Sequence, residues 1–348
     1  MSASGWATAR ASGAPCLRGM HRHEQGAGAR GAPCLRAAYC APGVLAILLA
    51  FAASAVAQEK LRILTTTTDL KSLAEAVGGD RVEVMSLVPP NLDPEEYQAK
   101  PQDVVRLKDA RVVVRVGLDF DLWLDRLLTQ ATLTHADVRN LRRGGPGHVD
   151  ASQAIAVLDQ RGIAVGPSDG HAHASGNPHY WLDPKNAEII TGNILETLAR
   201  IDPANGAYYE ANRLAFLARL EAALADWSTA LASLQGVPIV AYHNSWAYLA
   251  RRFRLNFIGF IEQKPGVAAS PARLAELIRI MGERKVPIIV RQPHEPDRAA
   301  AFLADKTGAA VVVLAGSVGA LPAAQDYLSL FASNVAALSA ALKAVPTR

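Results

Sequence analysis

Beyond residue 57 this 348-residue chain has no cysteine; all three, Cys16, Cys34 and Cys40, lie in the N-terminal segment. That absence excludes a disulfide framework and thiolate metal sites from the rest of the chain. It also leaves no cysteine after the apolar run Gly43–Ala57 to carry a lipid. The run, GVLAILLAFAASAVA, is shorter than the roughly 20 residues a membrane-spanning helix needs. It ends in the small-x-small pattern Ala55-Val56-Ala57 with Arg36 upstream, and reads as a secretory signal cut after Ala57 to release a soluble chain. Excess charge is missing too. Five arginines and one glutamate lie in the first 57 residues, leaving 31 basic and 31 acidic residues after them. The basic surplus therefore belongs to the leader, and a nucleic-acid partner loses its main support. The leader repeats GAPCLR at Gly13–Arg18 and Gly31–Arg36, which reads as an over-extended translation start with Met20 as an alternative.

From residue 58 on, strand and helix signals alternate. Strands are expected at Leu61–Thr65, a short apolar run suited to burial, at the alternating Arg81–Val88 and at the β-branched Arg111–Val116. Helices are expected from an Asp69 cap through Val77, at Gln102–Asp109, and at Asp119–Gln130 with Leu122, Leu124, Leu127 and Leu128 inward. Residues 132–170 suggest a weak strand, a loop and a short helix near Ala151–Gln160. Asp183-Pro184 and Asp202-Pro203 each pair a good N-cap with proline at the first helical position, so helices start there. The second runs to Gly236 with Leu214, Leu217, Leu224, Trp227, Leu231 and Leu234 on one face. Alternation then resumes with strands Pro238–Tyr242, Leu255–Ile261, Val286–Val290 and Ala309–Leu314. The helices between and after them are Ser245–Phe253, Pro271–Arg284, Pro296–Lys306 and Tyr327–Lys343.

The fold class is therefore α/β: two lobes, each a parallel sheet flanked by helices, joined by one long rigid helix. The segments are a leader and signal (1–57), a first lobe (58–201), a linking helix (202–236) and a second lobe (237–348). The lobes suggest remote repeats, without residue-level identity between them.

Ligands of parallel sheets bind past the carboxyl ends of the strands. That rule selects Glu95 and Glu96 after Val88, and the loop carrying His179. In the second lobe it selects His243, Glu262, the pair His294 and Glu295, and Gly316-Ser317. The stretch Gly170–Asp183, GHAHASGNPHYWLD, holds three of the seven histidines beyond the leader. His179 stands just before a helix start beside Tyr180 and Trp181, whereas His171 and His173 lie in a Gly/Ser/Ala-rich loop. Imidazoles and carboxylates facing across a cleft suit a divalent transition metal.

Four blocks carry a specific resemblance: Leu87–Tyr97 (LVPPNLDPEEY) with the KPQDVVRLKDARVVVRVGLDFDLWL that follows, Asn177–Ala187 (NPHYWLDPKNA), Ala241–Phe253 (AYHNSWAYLARRF) and Asp326–Leu338 (DYLSLFASNVAAL). From about Leu61 to its C-terminus the chain resembles the metal-binding proteins of zinc and manganese ABC importers, the zinc-uptake or cluster A-I family. The resemblance implies a periplasmic, monomeric solute-binding protein that delivers its ion to an ABC permease in the inner membrane. It places His179 and His243 at the second and third ligand positions, Glu95 at the first, usually a histidine, and Gly316 at the fourth, usually an aspartate. His171 and His173 look like a minimal form of the family's His-rich loop. The candidate metal set is Glu95, His179 and His243 with His294 as fourth; water, the second Glu95 oxygen and Glu262 are the alternatives for that place. Zn2+ comes first, since two imidazoles and a carboxylate are a familiar zinc set, and Mn2+ second because of the harder oxygen. The same set with an open position also suits a secreted zinc-dependent hydrolase, but the sequence has no HExxH helix. A metal-binding adhesin is the third reading. No catalytic residues are assigned.

Overall fold

The computed structural model describes residues 59–158, 176–263 and 267–344. The first half is built from β1 (Leu61–Thr65), α1 (Thr68–Gly78), β2 (Val82–Ser86), α2 (Pro101–Asp109), β3 (Val112–Arg115), α3 (Trp123–Thr134) and β4 (His148–Asp150). Two helices follow, α4 (Ala187–Ile201) and α5 (Gly206–Ala230). The second half comprises β5 (Pro238–Ala241), α6 (Ala247–Phe253), β6 (Asn256–Phe260), α7 (Pro271–Arg284), β7 (Ile288–Arg291), α8 (Asp297–Thr307), β8 (Ala310–Val313) and α9 (Tyr327–Ala344).

All pairings are parallel, and the two sheets have the same winding, β2-β1-β3-β4 and β6-β5-β7-β8. The central strands are buried on both faces, which is why runs such as Val112–Val114 lack polar alternation. In each sheet the chain leaves the first strand to one side and returns on the other. The loops after β1 and β3, and after β5 and β7, therefore part and open a crevice at the carboxyl ends.

Three cores hold this arrangement. One packs α2 and α3 under the first sheet through Leu107, Leu124 and Leu128. Another packs α7 and α8 under the second through Leu277, Met281 and Leu303. The largest is shared: Ile63 and Val112 of the first sheet and Ile239 and Ile288 of the second join one cluster with α1, α4, α5, α6 and α9. Its spine is α5, whose 25 residues span roughly 38 Å at 1.5 Å per residue. It packs against α1, α4 and α9. The apolar length of α9 follows from the same core, which buries its Tyr327, Leu330, Phe331 and Leu338.

Five expectations need correction. The helix expected from Asp202-Pro203 to Gly236 is α-helical only over Gly206–Ala230, with 3-10 turns at Pro203–Asn205 and Ala232–Leu234 and no side-chain cap from Asp202. Leu214 and Leu122 are 56% and 49% exposed; Tyr209, Phe216 and Leu220 fill the inner face of α5 instead, and Trp123 that of α3. Thr67, not Asp69, caps α1, accepting from the Leu70 amide. No helix forms over 151–158, where turns follow β4. Asp183 does cap as expected, but Pro184–Asn186 makes a 3-10 turn before α4 begins.

Candidate metal centre

The crevice is a cleft of about 500 Å3 lined from both sheets by Asp93, Glu95, His179, His243, Glu262 and Gln292, among others. Each donor reaches it by a local device. After β2, the Asp93 carboxylate accepts from the Glu95 amide (2.8 Å), turning the loop so that the Glu95 side chain is only 9% exposed. Tyr97 anchors the far end of that loop, with its hydroxyl on Asp103 (2.7 Å) and its ring edge-on to Trp123 at 4.9 Å. Glu96 is exposed.

His179 is held by Asn177, whose Oδ1 accepts from the His179 backbone amide and lies 3.0 Å from Nδ1. Asn177 also donates to the Asn244 carbonyl (3.0 Å), directly after His243, so one amide ties the two histidine segments together. Rings complete the setting: Phe120, Trp181 and His243 stand 5.8, 5.3 and 5.6 Å from the His179 ring. Phe120 is placed by a loop with three consecutive left-handed residues, Gly117, Leu118 and Asp119 (φ 79°, 49° and 62°). The Asp121 carboxylate accepts from the Val116 and Gly117 amides and from the fully buried Arg115 guanidinium, which offsets that backbone strain.

His243 is the second residue past β5, and its Nδ1 lies 2.9 Å from Glu262, the second residue past β6. The two imidazoles thus engage outer partners through Nδ1 and turn Nε2 inward. His179 Nε2 is 3.0 Å and His243 Nε2 4.0 Å from one oxygen of Glu95. One donor atom from each of Glu95, His179 and His243 lies within 4.8 Å of the others. An Nδ1–H given to a carboxylate or amide oxygen fixes the tautomer that leaves the Nε2 lone pair for a metal.

Burial works against a charged His243, but the Glu262 hydrogen bond and the charges of Glu95 and Glu262 outweigh it, so its pKa is raised. His294 lines the same cleft but stands outside the three-residue cluster, with Nε2 3.9 Å from Asp93. Burial, the largest influence, lowers its pKa, against the opposing pull of Asp93. Burial pushes the neighbouring Glu295 up to about 8, so at neutral pH it mostly keeps its proton. His171 and His173 lie outside the described residues.

Sequence reasoning missed two amides. Asn177 stands in the quoted NPHYW block, yet nothing in its spacing marks it as the partner of His179. Gln292, directly after β7, is 8% exposed and lines the cleft. Its Nε2 donates to Ser245 (3.0 Å) and Glu295 (3.4 Å). Gly316 has no side chain to offer, and a Cβ added there would lie 1.7 Å from Gln292 Oε1.

The family model described as zinc-uptake complex component A, periplasmic, matches residues 63–341. The high-affinity zinc uptake system protein ZnuA of Bacillus subtilis is 24% identical, over 82% of this chain and 88% of that protein. A zinc-bound ZnuA deletion mutant is 27% identical with a TM-score of 0.67, covering 83% of this chain and 99% of that one. The solute-binding protein FpvC of Pseudomonas aeruginosa, solved with Mn2+, shares the fold at 24% identity and a TM-score of 0.66, over 82% and 99%.

Proposed function

Because the chain belongs to the periplasmic zinc-uptake component A family, we propose that it captures a divalent transition metal in its cleft and delivers it to an ABC permease. The observation that carries this reading is the convergence of His179 Nε2, His243 Nε2 and a Glu95 oxygen within 4.8 Å. Two neutral imidazoles and one carboxylate bring a single negative charge to the ion. Glu262, hydrogen-bonded to His243, supplies the compensating second charge without occupying a coordination position. Zinc is the first cargo, since this donor set matches its borderline-soft character, and manganese the second, since Glu95 adds a hard oxygen.

Capture is a proton-linked event. In the metal-free protein the Glu262 hydrogen bond and the nearby carboxylates favour a proton on His243. The entering ion displaces it and takes over the attraction of Glu95, so binding releases protons and strengthens as pH rises. The protein is a carrier, not an enzyme: Glu262 is engaged with His243 and therefore poorly placed to act as a general base. The chain acts as a monomer in the periplasm after cleavage behind Ala57, and residues 58–201, 202–236 and 237–348 serve as first lobe, linking helix and second lobe.

Uptake of radioactive zinc by cells lacking this chain tests the reading. The wild-type chain should restore uptake under zinc limitation, and a variant carrying both His179→Ala and His243→Ala should not. Equal restoration by both would overturn it.

A further inference from the structure

We propose that Gln292 contributes a further contact to the captured ion through its amide oxygen, and that the pair Gln292–Gly316 thereby tunes the choice of metal; this rests on the metal-carrier reading above. Gln292 is held at both ends of its side chain. Its backbone amide donates to Glu295 Oε2 at 2.5 Å, and its Nε2 donates to Ser245 Oγ and Glu295 Oε1. Those bonds use the donors of the side-chain amide and leave Oε1 turned toward Gly316, a residue of the cleft wall. Among the described residues Oε1 accepts no hydrogen bond. Gln292 is 8% exposed, and this oxygen is not sealed from the cleft, so a cation entering there can meet it.

Gly316 explains the arrangement from the other side. Its φ lies outside the left-handed region, so the backbone there does not call for glycine. The glutamine does, because a Cβ would fall 1.7 Å from Oε1 and 2.6 Å from the amide carbon. The loop has little room to retreat. Ala315 is pinned through both its N–H and its carbonyl by Asn334 at 2.8 Å, the Gly316 carbonyl accepts from Trp181 Nε1 at 3.0 Å, and the Val318 amide donates to Asp69 at 3.0 Å. Gly316 is thus the space that Gln292 occupies.

A neutral amide oxygen beside one carboxylate and two imidazoles completes a set of two nitrogens and two oxygens. That set satisfies four-coordinate zinc, and its oxygen share keeps manganese within reach without adding negative charge.

Titration of the processed chain with zinc chloride and manganese chloride, each competed against a chromophoric chelator, tests the proposal. Gln292→Ala and the similarly long but oxygen-free Gln292→Met should each weaken zinc binding about 10–100-fold. Gly316→Ala should do the same by displacing Oε1, and the double variant Gln292→Ala/Gly316→Ala should bind no more weakly than Gln292→Ala alone. Gln292→Glu should move the zinc-to-manganese preference toward manganese, a change that a purely structural role would not produce. Melting of the metal-free variants identifies any that fail to fold, in which case Gly316→Ala and Gln292→Met carry the comparison. Wild-type affinity in Gln292→Met, or losses in the double variant that multiply, would overturn the proposal. A wild-type chain that binds neither ion would instead overturn the carrier reading beneath it.

Discussion

Replacing Glu262 by glutamine removes the carboxylate behind His243 while keeping its volume. Glu262 lies 2.9 Å from Nδ1, and both side chains are nearly buried, at 11% and 13% exposure, so water cannot take over the bond at little cost. The amide still offers an oxygen, so the ring should keep its place and lose mainly basicity at Nε2. Loss of such an outer partner lowers metal affinity by about 10–100-fold, equivalent to roughly 1.4–2.7 kcal/mol. The pH profile carries the sharper test. Glu262 is among the groups that raise the His243 pKa above its ordinary value, so in the wild-type chain protons compete with metal from a higher pH downward. In Glu262→Gln that competition begins at lower pH. The wild-type advantage should therefore be greatest at alkaline pH, where the ring is neutral in both forms, and shrink on acidification. Competition titrations with zinc from alkaline to acid pH measure it. An affinity ratio that stays constant or grows on acidification would refute the role given to Glu262.

Three further outcomes follow from particular contacts. Glu95→Ala should cost more than the roughly 10–100-fold assigned to an outer partner, Glu95→His should shift preference from manganese toward zinc, and Glu96→Ala should bind like wild type; zinc-against-manganese titrations compare all three. Asp69 is fully buried, and burial raises it to about 7 despite hydrogen bonds from Val318 and Ser317. The folded chain then keeps a proton that the unfolded chain loses near pH 4, so this residue's contribution to stability declines as pH rises from about 4 to about 7; Asp69→Asn should remove that decline and be more stable than wild type at pH 8 by up to ~4 kcal/mol in urea unfolding. Because the two sheets share one core along α5, small-angle scattering should give nearly equal radii with and without zinc, whereas a change of several ångströms would mean that this core opens.

Much of the fold was legible because local and tertiary signals agreed. β1 and α7 have the expected bounds, one a short apolar run and the other a helix announced by Ser270-Pro271, where Ser270 accepts from the Arg273 amide. The errors came where leucine was taken to mark the buried face. On α5 Tyr209 and Phe216 join the expected Trp227 in the core, and Leu214 is left outside. Asp69 looked like a cap because caps are acidic and precede apolar runs, but its carboxylate reaches the Val318 amide, a partner 249 residues away that no local pattern discloses. The same reason divides the site. Glu95, His179 and His243 could be nominated because they follow strands or precede a helix, whereas His294, nominated by the same rule, faces Asp93 instead of joining them. Asn177 and Gln292 acquire their roles only once the chain is folded, since an amide has no characteristic spacing and is defined by what packs beside it.

The most direct measurement is the structure of the zinc-loaded chain, prepared without chelator and compared with its measured zinc content. One ion per chain is expected, bonded to Nε2 of His179, Nε2 of His243 and a Glu95 carboxylate oxygen at about 2.0–2.2 Å. A chain that copurifies with no metal, or an ion held elsewhere or through Nδ1 of either histidine, would contradict it.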